Sequence, residues 1–427
     1  VTASAAYSPL AAQQLVILHT NYTHSHIDPV DASDLGGVLR RKALIDSIRA
    51  AEPHVMVIDA GDIVQGTLYF HLYKGEVEQK AINAMGYDLQ IMGNHEFDNG
   101  IESMAQMYAQ ATPTLLTTNY NLSATPLSKY FKPYFIKQIG DKKVGFIALN
   151  LNPKGMIADA NSQGIELYDW KEAANSTAWH LKHNEKVDRV IAITHVGYSD
   201  EGTNTFNDTD IAATTQNIDA IIGGHSHTLI DPANPLSPAW KVKNAEGREI
   251  PVVQTGRWGE HVGKLVIDLS SDSTSYSIIN VDKRFDNRID PEFAALLAPY
   301  REVIDSLYHT IVAKSANNYS NRGPELLNFT SDFLLERGRQ LAPNVNLAIS
   351  NKGGIRKSLS KGNISEGDII DMLPFKNNIM IIDINGHDLV EAFNVMASRG
   401  GDGVSDNVDI VFDPITHTCT SIKIDGK

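Results

Sequence analysis

The sequence predicts an α/β protein in which short buried strands alternate with helices. Two observations predict it: apolar runs recur between stretches of helical periodicity, and each run breaks into a glycine-containing or polar loop. The stretch from Val55 to Asp98 shows both, in VMVIDAGDIVQG and then LQIMGNHEFDNG. Because ligands bind at the carboxyl ends of strands in an open α/β sheet, this stretch is the predicted centre of the molecule.

The predicted elements follow in order along the chain. Leu15 to His26 is a buried strand followed by a polar loop with three histidines. Helices are predicted over 37–50, 75–85 and 100–109, with strands at 55–59, before Asn94 and at LLTTN. The later apolar runs VDRVIAIT and IDAIIGG predict two more strands, and IPVVQTG and KLVIDLS predict the closing strands of this half.

Composition excludes several classes of protein. A chain of 427 residues favours two or more domains. The formal charge of −14 argues against nucleic-acid polymers and anionic membranes as partners, and no apolar run approaches the roughly 18 residues that span a bilayer. The single cysteine, Cys419, excludes an intrachain disulfide. Residues 1–14 lack the pattern of a signal peptide and are interpreted as a leader or linker remnant.

Metal-type donors follow the predicted strands in separate loops. These donors are Asp62, Asn94, His95, His195, His225 and His227, with His24 in the first loop. Taken alone, each histidine is more often a structural or surface residue, Asp62 a helix cap and Asn94 a turn residue. Their recurrence directly after strands favours a divalent metal site instead.

The motifs HTNxTHSH, DAGD, GNHEFD, THVGY and GGHSHT, in this order, resemble the calcineurin-like metallophosphoesterases, specifically the secreted 5'-nucleotidase and UDP-sugar hydrolase group. The resemblance implies a four-layer α/β sandwich, a second α+β substrate domain and two divalent ions, Zn, Mn or similar. One ion would be held by Asp62, Asn94, His195 and His225. The other would share Asp62 and bind His24 and His227, while His95, oriented by Asp98, would face the leaving oxygen.

Tyr22 departs from the family pattern, which has an aspartate ligand at this position. A phenol with a pKa of about 10 is a poor ligand unless the metal removes its proton. Three interpretations are open: Tyr22 coordinates as a phenolate, it points away while water, Asp28 or Asp31 replaces it, or the site holds one metal. We expect loss or weakening of the His24 site, although the change could also leave an active enzyme.

The second half of the chain is predicted to form a substrate-binding domain. The expected boundaries are a catalytic domain over 15–289, a connecting amphipathic helix over 290–313 and the second domain over 314–427. Helices are predicted at LLNFTSDFLLERGRQL and near both ends of ISEGDIIDMLPFKNNIMIIDINGHDLVEAFNVMA, with a strand between the latter two. The family's late loop with a second aromatic residue is not found, so the domain is expected to be incomplete.

The resemblance also implies the substrate contacts and the function. Arg322, Asn351, Arg356 and Phe375 match the family's nucleotide contacts. The expected reaction is release of phosphate from nucleoside 5'-monophosphates or related nucleotides by a periplasmic, cell-surface or secreted enzyme. The alternatives are a phosphodiesterase of the same fold acting on cyclic nucleotides or nucleotide sugars, and a degenerate nucleotide-binding protein.

Overall fold

The computed structural model describes residues 13–199, 206–375 and 377–427. The chain divides into two compact units, with the boundary between Tyr300 and Arg301. The predicted leader, apart from its last two residues, lies outside the described part of the chain. Among the described residues, no helix combines the length and the apolar character of a membrane span.

The first unit contains the long strands and most of the helices. Its strands are β1 (Gln14–Thr20), β2 (Pro29–Val30), β3 (Leu35–Gly36), β4 (Val55–Asp59), β5 (Leu89–Ile91), β6 (Thr114–Leu116), β7 (Tyr120–Asn121), β8 (Phe131–Lys132), β9 (Tyr134–Ile139), β10 (Lys142–Asn150), β11 (Glu166–Leu167), β12 (Arg189–His195), β13 (Ala220–Ile222), β14 (Lys241–Lys243), β15 (Glu249–Val253), β16 (His261–Asp268) and β17 (Thr274–Asn280). Its helices are α1 (Val38–Ala51), α2 (Leu68–Tyr73), α3 (Glu76–Met85), α4 (Gly100–Tyr108), α5 (Trp170–His183) and α6 (Asp208–Thr214), and α7 (Pro291–His309) continues into the second unit.

Two large sheets form the centre of this unit. The first has the order β17-β16-β1-β4-β5-β6-β8 and is parallel from β1 to β8, while the second has the order β14-β15-β13-β12-β10-β9 and is parallel from β15 to β10. Apolar residues of both sheets, among them Ile17, Ile58, Phe146 and Ile191, pack into one buried core. Continuous apolar runs such as LVIL in β1 are typical of strands covered on both faces.

Helices cover the outer face of each sheet. α1 packs on β4 and on α3, and α3 packs on α4, whereas α5 packs on β10 and β12 and α6 on β15. The predicted four-layer α/β architecture is therefore confirmed. The predicted helices 37–50, 75–85 and 100–109 correspond to α1, α3 and α4. Helices α2, α5 and α6 were not predicted; in α2, the sequence LYFHLY, six residues rich in aromatics, has no helical periodicity.

The second unit is smaller and has short strands. Its strands are β18 (Ile311–Ser315), β19 (Ile349–Ser350), β20 (Gly362–Ser365), β21 (Gly403–Val404), β22 (Val408–Phe412) and β23 (Cys419–Ile424), and its helices are α8 (Pro324–Leu341), α9 (Glu366–Met372) and α10 (Gly386–Ser398).

The helices predicted here are confirmed. The predicted end of the connecting helix at Ala313 is wrong: α7 ends at His309, because Ile311–Ser315 pairs as a strand with β20. The strand predicted between α9 and α10 is also wrong, since the described residues 377–385 pair with no other strand.

A small cavity lies behind the loop that follows β1. It has a volume of about 10 Å³ and is lined by residues that include Ser25, Arg41 and Glu78. Burial raises the pKa of Glu78 to about 7, and the nearby Ser25 hydroxyl offsets this only partly. Between the pKa of an unfolded glutamate, about 4.3, and 7, the folded state therefore retains a proton that the unfolded state loses.

Stability should consequently fall as the pH rises through this window, and Glu78→Gln should remove that part of the fall. Between pH 5 and pH 8 we expect the free energy of unfolding of the variant to gain roughly 2 kcal/mol relative to the wild type. Urea denaturation at both pH values measures this difference. Glu102→Gln, at an exposed position of α4, is the control; parallel pH profiles for wild type and Glu78→Gln would contradict the assignment.

Candidate metal centre

The site lies where strand ends of the two large sheets meet. β1, β4 and β5 are parallel neighbours in the first sheet, and β12 and β13 are parallel neighbours in the second. The loops that follow them carry the predicted donors. His195 Nε2, at the end of β12, lies 3.0 Å from Asp62 Oδ2 in the loop after β4, so this contact joins the two sheets.

Asp62 is the residue that the other loops contact. It is fully buried, and its Oδ1 accepts a hydrogen bond from the His95 backbone N–H at 2.8 Å while its Oδ2 faces His195. Burial alone would raise the pKa of Asp62, but the positive charges of His195 and His95 outweigh it and hold the pKa below its usual range. An ionised carboxylate in the middle of a buried histidine cluster suits a bridging metal ligand.

Backbone carbonyls fix the tautomers of two histidines. His195 Nδ1 lies 2.7 Å from the Ala60 oxygen, and His24 Nδ1 lies 2.9 Å from the Val64 oxygen. Because a carbonyl oxygen only accepts, Nδ1 carries the proton in both, and a neutral ring then presents a lone pair at Nε2. These Nε2 atoms, Asp62 Oδ2 and His227 Nε2 are buried with no hydrogen-bond partner among the described residues. A divalent cation among these atoms would give all of them a partner at once, so the donor set around Asp62 fits a divalent metal.

His225 completes a group with Asp62 and His195. One ligand atom from each lies within 4.8 Å of the others, and His225 Nδ1 is 3.0 Å from Asn94 Oδ1. Burial, assisted by the charge of His195, lowers the pKa of His225 to about 4. The neutral imidazole that binds metals is therefore the form present at neutral pH. The structure thus brings all four predicted ligands of the first ion together.

The predicted ligands of the other ion are less well assembled. His24, Asp62 and His95 form a second group within 4.8 Å, and this group does not contain His227. Burial lowers the pKa of His227 to about 3, and burial together with the charge of His95 lowers that of His24. The Tyr22 ring lies among these histidines, with its centre 3.7 Å from that of His24 and 3.4 Å from that of His227. Asp28, which the sequence analysis offered as a replacement for Tyr22, accepts a hydrogen bond from the Tyr69 hydroxyl at 2.7 Å.

His95 and Asp98 form the predicted pair. His95 Nδ1 lies 2.9 Å from Asp98 Oδ2, and the His95 side chain keeps 18% of its surface exposed. Burial opposes protonation of His95, but the negative charges of Asp62 and Asp98 outweigh it and raise the pKa to about 9. The pair therefore presents an oriented imidazolium whose Nε2 is a proton donor.

The loops hold their ligands in uncommon backbone conformations. Tyr22, His24, Asp62, His225 and His227 all have φ between 47° and 79°. Left-handed backbone costs energy for residues other than glycine and persists where surrounding contacts enforce it, often at functional sites. Gly93 also allows a close approach, since a side chain there would overlap the Asp62 carboxylate.

Glu96 is a supporting residue that the sequence analysis missed. Its buried carboxylate accepts hydrogen bonds from the backbone N–H groups of Asp62, Ile63 and Gly93, at 3.1, 2.8 and 2.5 Å. It therefore ties the loop after β4 to the loop after β5. The motif GNHEFD contains Glu96 directly after the predicted donors Asn94 and His95, and this carboxylate had no predicted role.

Asn21 is a second supporting residue without an assigned role in the sequence analysis. Its side-chain oxygen accepts from the Thr255 backbone N–H at 2.8 Å, and its amide donates to the Gly256 oxygen at 2.9 Å. The loop after β1 is thereby fixed to the loop after β15.

The predicted substrate residues all lie in the second unit, and the structure brings two of them together. The Arg356 guanidinium carbon is 5.6 Å from the centre of the half-buried Phe375 ring. The loop before α8 lies beside them, because Asn321 donates to the Arg356 carbonyl oxygen at 3.1 Å. Arg322 follows in that loop, and Asn351 directly precedes the short helical turn Lys352–Gly354; both are exposed.

Comparisons with known proteins identify the family. The profile for calcineurin-like phosphoesterases matches residues 15–229, about half of the chain. The chain belongs to the calcineurin-like phosphoesterase family. These phosphoesterases are hydrolases that use divalent metals, in agreement with the donor groups around Asp62. The profile of the 5'-nucleotidase C-terminal domain matches residues 306–425, and the resemblance found in the motifs is confirmed.

Several known proteins are similar to this phosphoesterase along most of its length. Human 5'-nucleotidase is 29% identical, over 93% of this chain and 74% of the human protein. A trifunctional nucleotide phosphoesterase of Bacillus subtilis is 28% identical over 88% of this chain, which spans only 27% of that protein. The crystal structure of a 5'-nucleotidase precursor from Thermus thermophilus has a TM-score of 0.80 and 27% identity, and covers 96% of this chain and 85% of that one.

Glu96→Ala should destabilise this phosphoesterase, because it leaves three buried backbone N–H groups without an acceptor. We expect the free energy of unfolding to fall by roughly 3 kcal/mol or more, measured by urea denaturation. The exposed Glu102→Ala in α4 is the matched control and should lie within about 0.5 kcal/mol of the wild type. A Glu96→Ala variant as stable as this control would show that the carboxylate does not hold the two loops.

Proposed function

We propose that the chain hydrolyses the phosphoester of nucleoside 5'-monophosphates at a metal centre formed by Asp62, Asn94, His195 and His225. The observation that carries the proposal is the convergence of donors from both sheets: the buried Asp62 carboxylate lies 3.0 Å from His195 Nε2, and His225 and Asn94 lie beside them. The similarity to 5'-nucleotidases of both halves of the chain supports the substrate class.

The donor set suits a borderline divalent ion such as Zn or Mn, since it combines imidazole nitrogen with carboxylate and amide oxygen. A bound ion of this kind polarises the phosphate and lowers the pKa of a bound water. The Glu96 and Asn21 hydrogen bonds keep the ligand loops in place, so the donors need little rearrangement to bind.

His95 is proposed as the catalytic residue for the leaving group. Asp98 holds Nδ1, so the ring presents Nε2, from which it donates a proton to the departing 5'-oxygen or stabilises its developing charge. The neighbouring Asp62 and Asp98 carboxylates raise the pKa of His95, which favours its protonated form. Asp98 acts through His95 and is a positioning residue.

The second unit is proposed to bind the nucleoside. The partly buried Phe375 ring offers an apolar face to a base, and the Arg356 guanidinium beside it offers planar donors to ribose or phosphate oxygens. Arg322 and Asn351, both exposed, are proposed as further polar contacts. We also propose a location in the periplasm, at the cell surface or outside the cell, supported by the 27% identity to the snake venom 5'-nucleotidase of Gloydius brevicauda.

The direct test of the function is phosphate release from AMP by the wild type and His95→Ala in the presence of Mn or Zn. The variant should lose at least about 100-fold in kcat, the usual contribution of a positioned acid. His183→Ala, an exposed histidine of α5, is the control and should retain wild-type turnover. Equal turnover by wild type and His95→Ala would remove His95 from the mechanism.

If the wild type releases no phosphate from AMP, a panel of cyclic nucleotides and nucleotide sugars decides between two remaining functions. Hydrolysis of one of these esters identifies a phosphodiesterase. Nucleotide binding without any hydrolysis identifies a non-catalytic binding protein.

The nucleoside contacts are tested by Arg356→Ala and Phe375→Ala. Each should raise KM for AMP roughly 10-fold, the cost of one contact worth about 1.4 kcal/mol, and leave hydrolysis of p-nitrophenyl phosphate unchanged, since that ester has no nucleoside. The exposed Arg399→Ala of the same unit is the matched control. An equal loss on both substrates would instead indicate a structural role for these residues.

A further inference from the structure

The phenol ring of Tyr22 stands between the two histidines that would hold the other ion. Its centre lies 3.7 Å from the centre of the His24 ring and 3.4 Å from that of His227, and these two imidazole centres are 5.8 Å apart. The phenol meets both imidazoles steeply, at interplanar angles of 84° and 65°. Tyr22 is itself 7% exposed, so the ring belongs to the interior of the cluster.

The same position is where an ion shared by His24 and His227 would have to lie. A metal–nitrogen bond is about 2 Å long and the ring nitrogen lies about 1 Å from the ring centre, so a shared ion sits roughly 3 Å from both imidazole centres. The centre of the phenol ring lies close to this distance from both imidazole centres. The imidazole rings of His24 and His227 thus have a phenol ring between them, which is not a cation.

We propose that Tyr22 prevents His24 and His227 from sharing an ion, so that the chain binds one divalent metal, on Asp62, Asn94, His195 and His225, where two would otherwise fit. This inference rests on the proposed function, since it assumes that metal centre. It argues against the interpretation in which Tyr22 points away and Asp28 replaces it. The Tyr22 ring lies beside His227, and Asp28 accepts a hydrogen bond from the Tyr69 hydroxyl.

The group formed by His24, Asp62 and His95 does not offer a second ion an equally good site. Asp62 has two oxygens: Oδ1 accepts the His95 backbone N–H, and Oδ2 faces His195. An ion bound by this group would share the Asp62 carboxylate with these two contacts and would use the imidazole that Asp98 orients. Both costs weaken binding there relative to the His195 and His225 side.

The test is the metal content of the chelator-stripped chain after dialysis against Mn²⁺, read by elemental analysis and by the electron paramagnetic resonance spectrum. The wild type should hold one ion per chain and give the spectrum of an isolated Mn²⁺. Tyr22→Asp, which removes the ring and adds a carboxylate, should hold two ions and give the spectrum of an exchange-coupled pair.

His227→Ala is the matched diagnostic. It should leave the count at one in the wild-type background and lower it from two to one in the Tyr22→Asp background. His225→Ala should lower the wild-type count from one to zero. Tyr22→Ala gives a second route if Tyr22→Asp does not fold: removal of the ring alone should let a second ion bind at higher Mn²⁺ concentration.

The outcomes separate this inference from the proposed function. A wild-type count of two, or a wild-type count that falls with His227→Ala, overturns the inference even if the protein hydrolyses AMP. A count that stays at one in both Tyr22→Asp and Tyr22→Ala also overturns it. A wild-type count of zero overturns the inference and the proposed metal centre together.

Discussion

The contact between the Asp62 carboxylate and His195 is the constraint on which the site depends. It joins the loop after β4 in one sheet to the end of β12 in the other, with 3.0 Å between Oδ2 and Nε2. The chain buries a carboxylate here, which costs free energy unless a positive charge lies beside it. The Ala60 carbonyl oxygen holds the His195 ring, the His95 backbone N–H holds the Asp62 carboxylate, and the Glu96 carboxylate holds the Asp62 backbone. The protein itself therefore builds a position for a metal.

The two-sheet architecture explains how distant parts of the sequence reach one point. Parallel strands present their carboxyl ends at the same edge, and β1, β4 and β5 in one sheet face β12 and β13 in the other across a common core. Each strand therefore contributes one loop to the site. Glu96 and Asn21 then tie neighbouring loops to one another, and the left-handed backbone at Asp62 and His225 persists because these contacts enforce it.

Much of the first unit could be predicted from the sequence because its signals are local. Apolar runs predicted the central strands, and the residues predicted as ligands directly after them lie close together in the structure. The role of Glu96 was not visible, since it depends on which backbone N–H groups another loop presents. The sequence marked Tyr22 as a departure, but only the structure shows the phenol between His24 and His227.

The second unit was predicted less well, for the same reason. Its helices carry clear periodicity, whereas the β-branched run at Ile311 continued the helical pattern and formed a strand because Gly362–Ser365 supplies a partner. The apolar residues Ile379 to Ile384 read as a strand but have no pairing strand among the described residues, and they remain exposed. Strand formation depends on a partner that local sequence does not specify.

In this protein Asp62 is proposed to anchor one metal, and the Tyr22 ring to occupy the site between His24 and His227 where a second metal would bind. The most direct measurement is a crystal structure of the wild type grown with Mn²⁺, with anomalous diffraction data collected to locate manganese. We expect one anomalous peak within bonding distance of Asp62, His195 and His225, with the Tyr22 ring still between His24 and His227. Two peaks bridged by Asp62, or a Tyr22 ring turned out of the cluster, would contradict it.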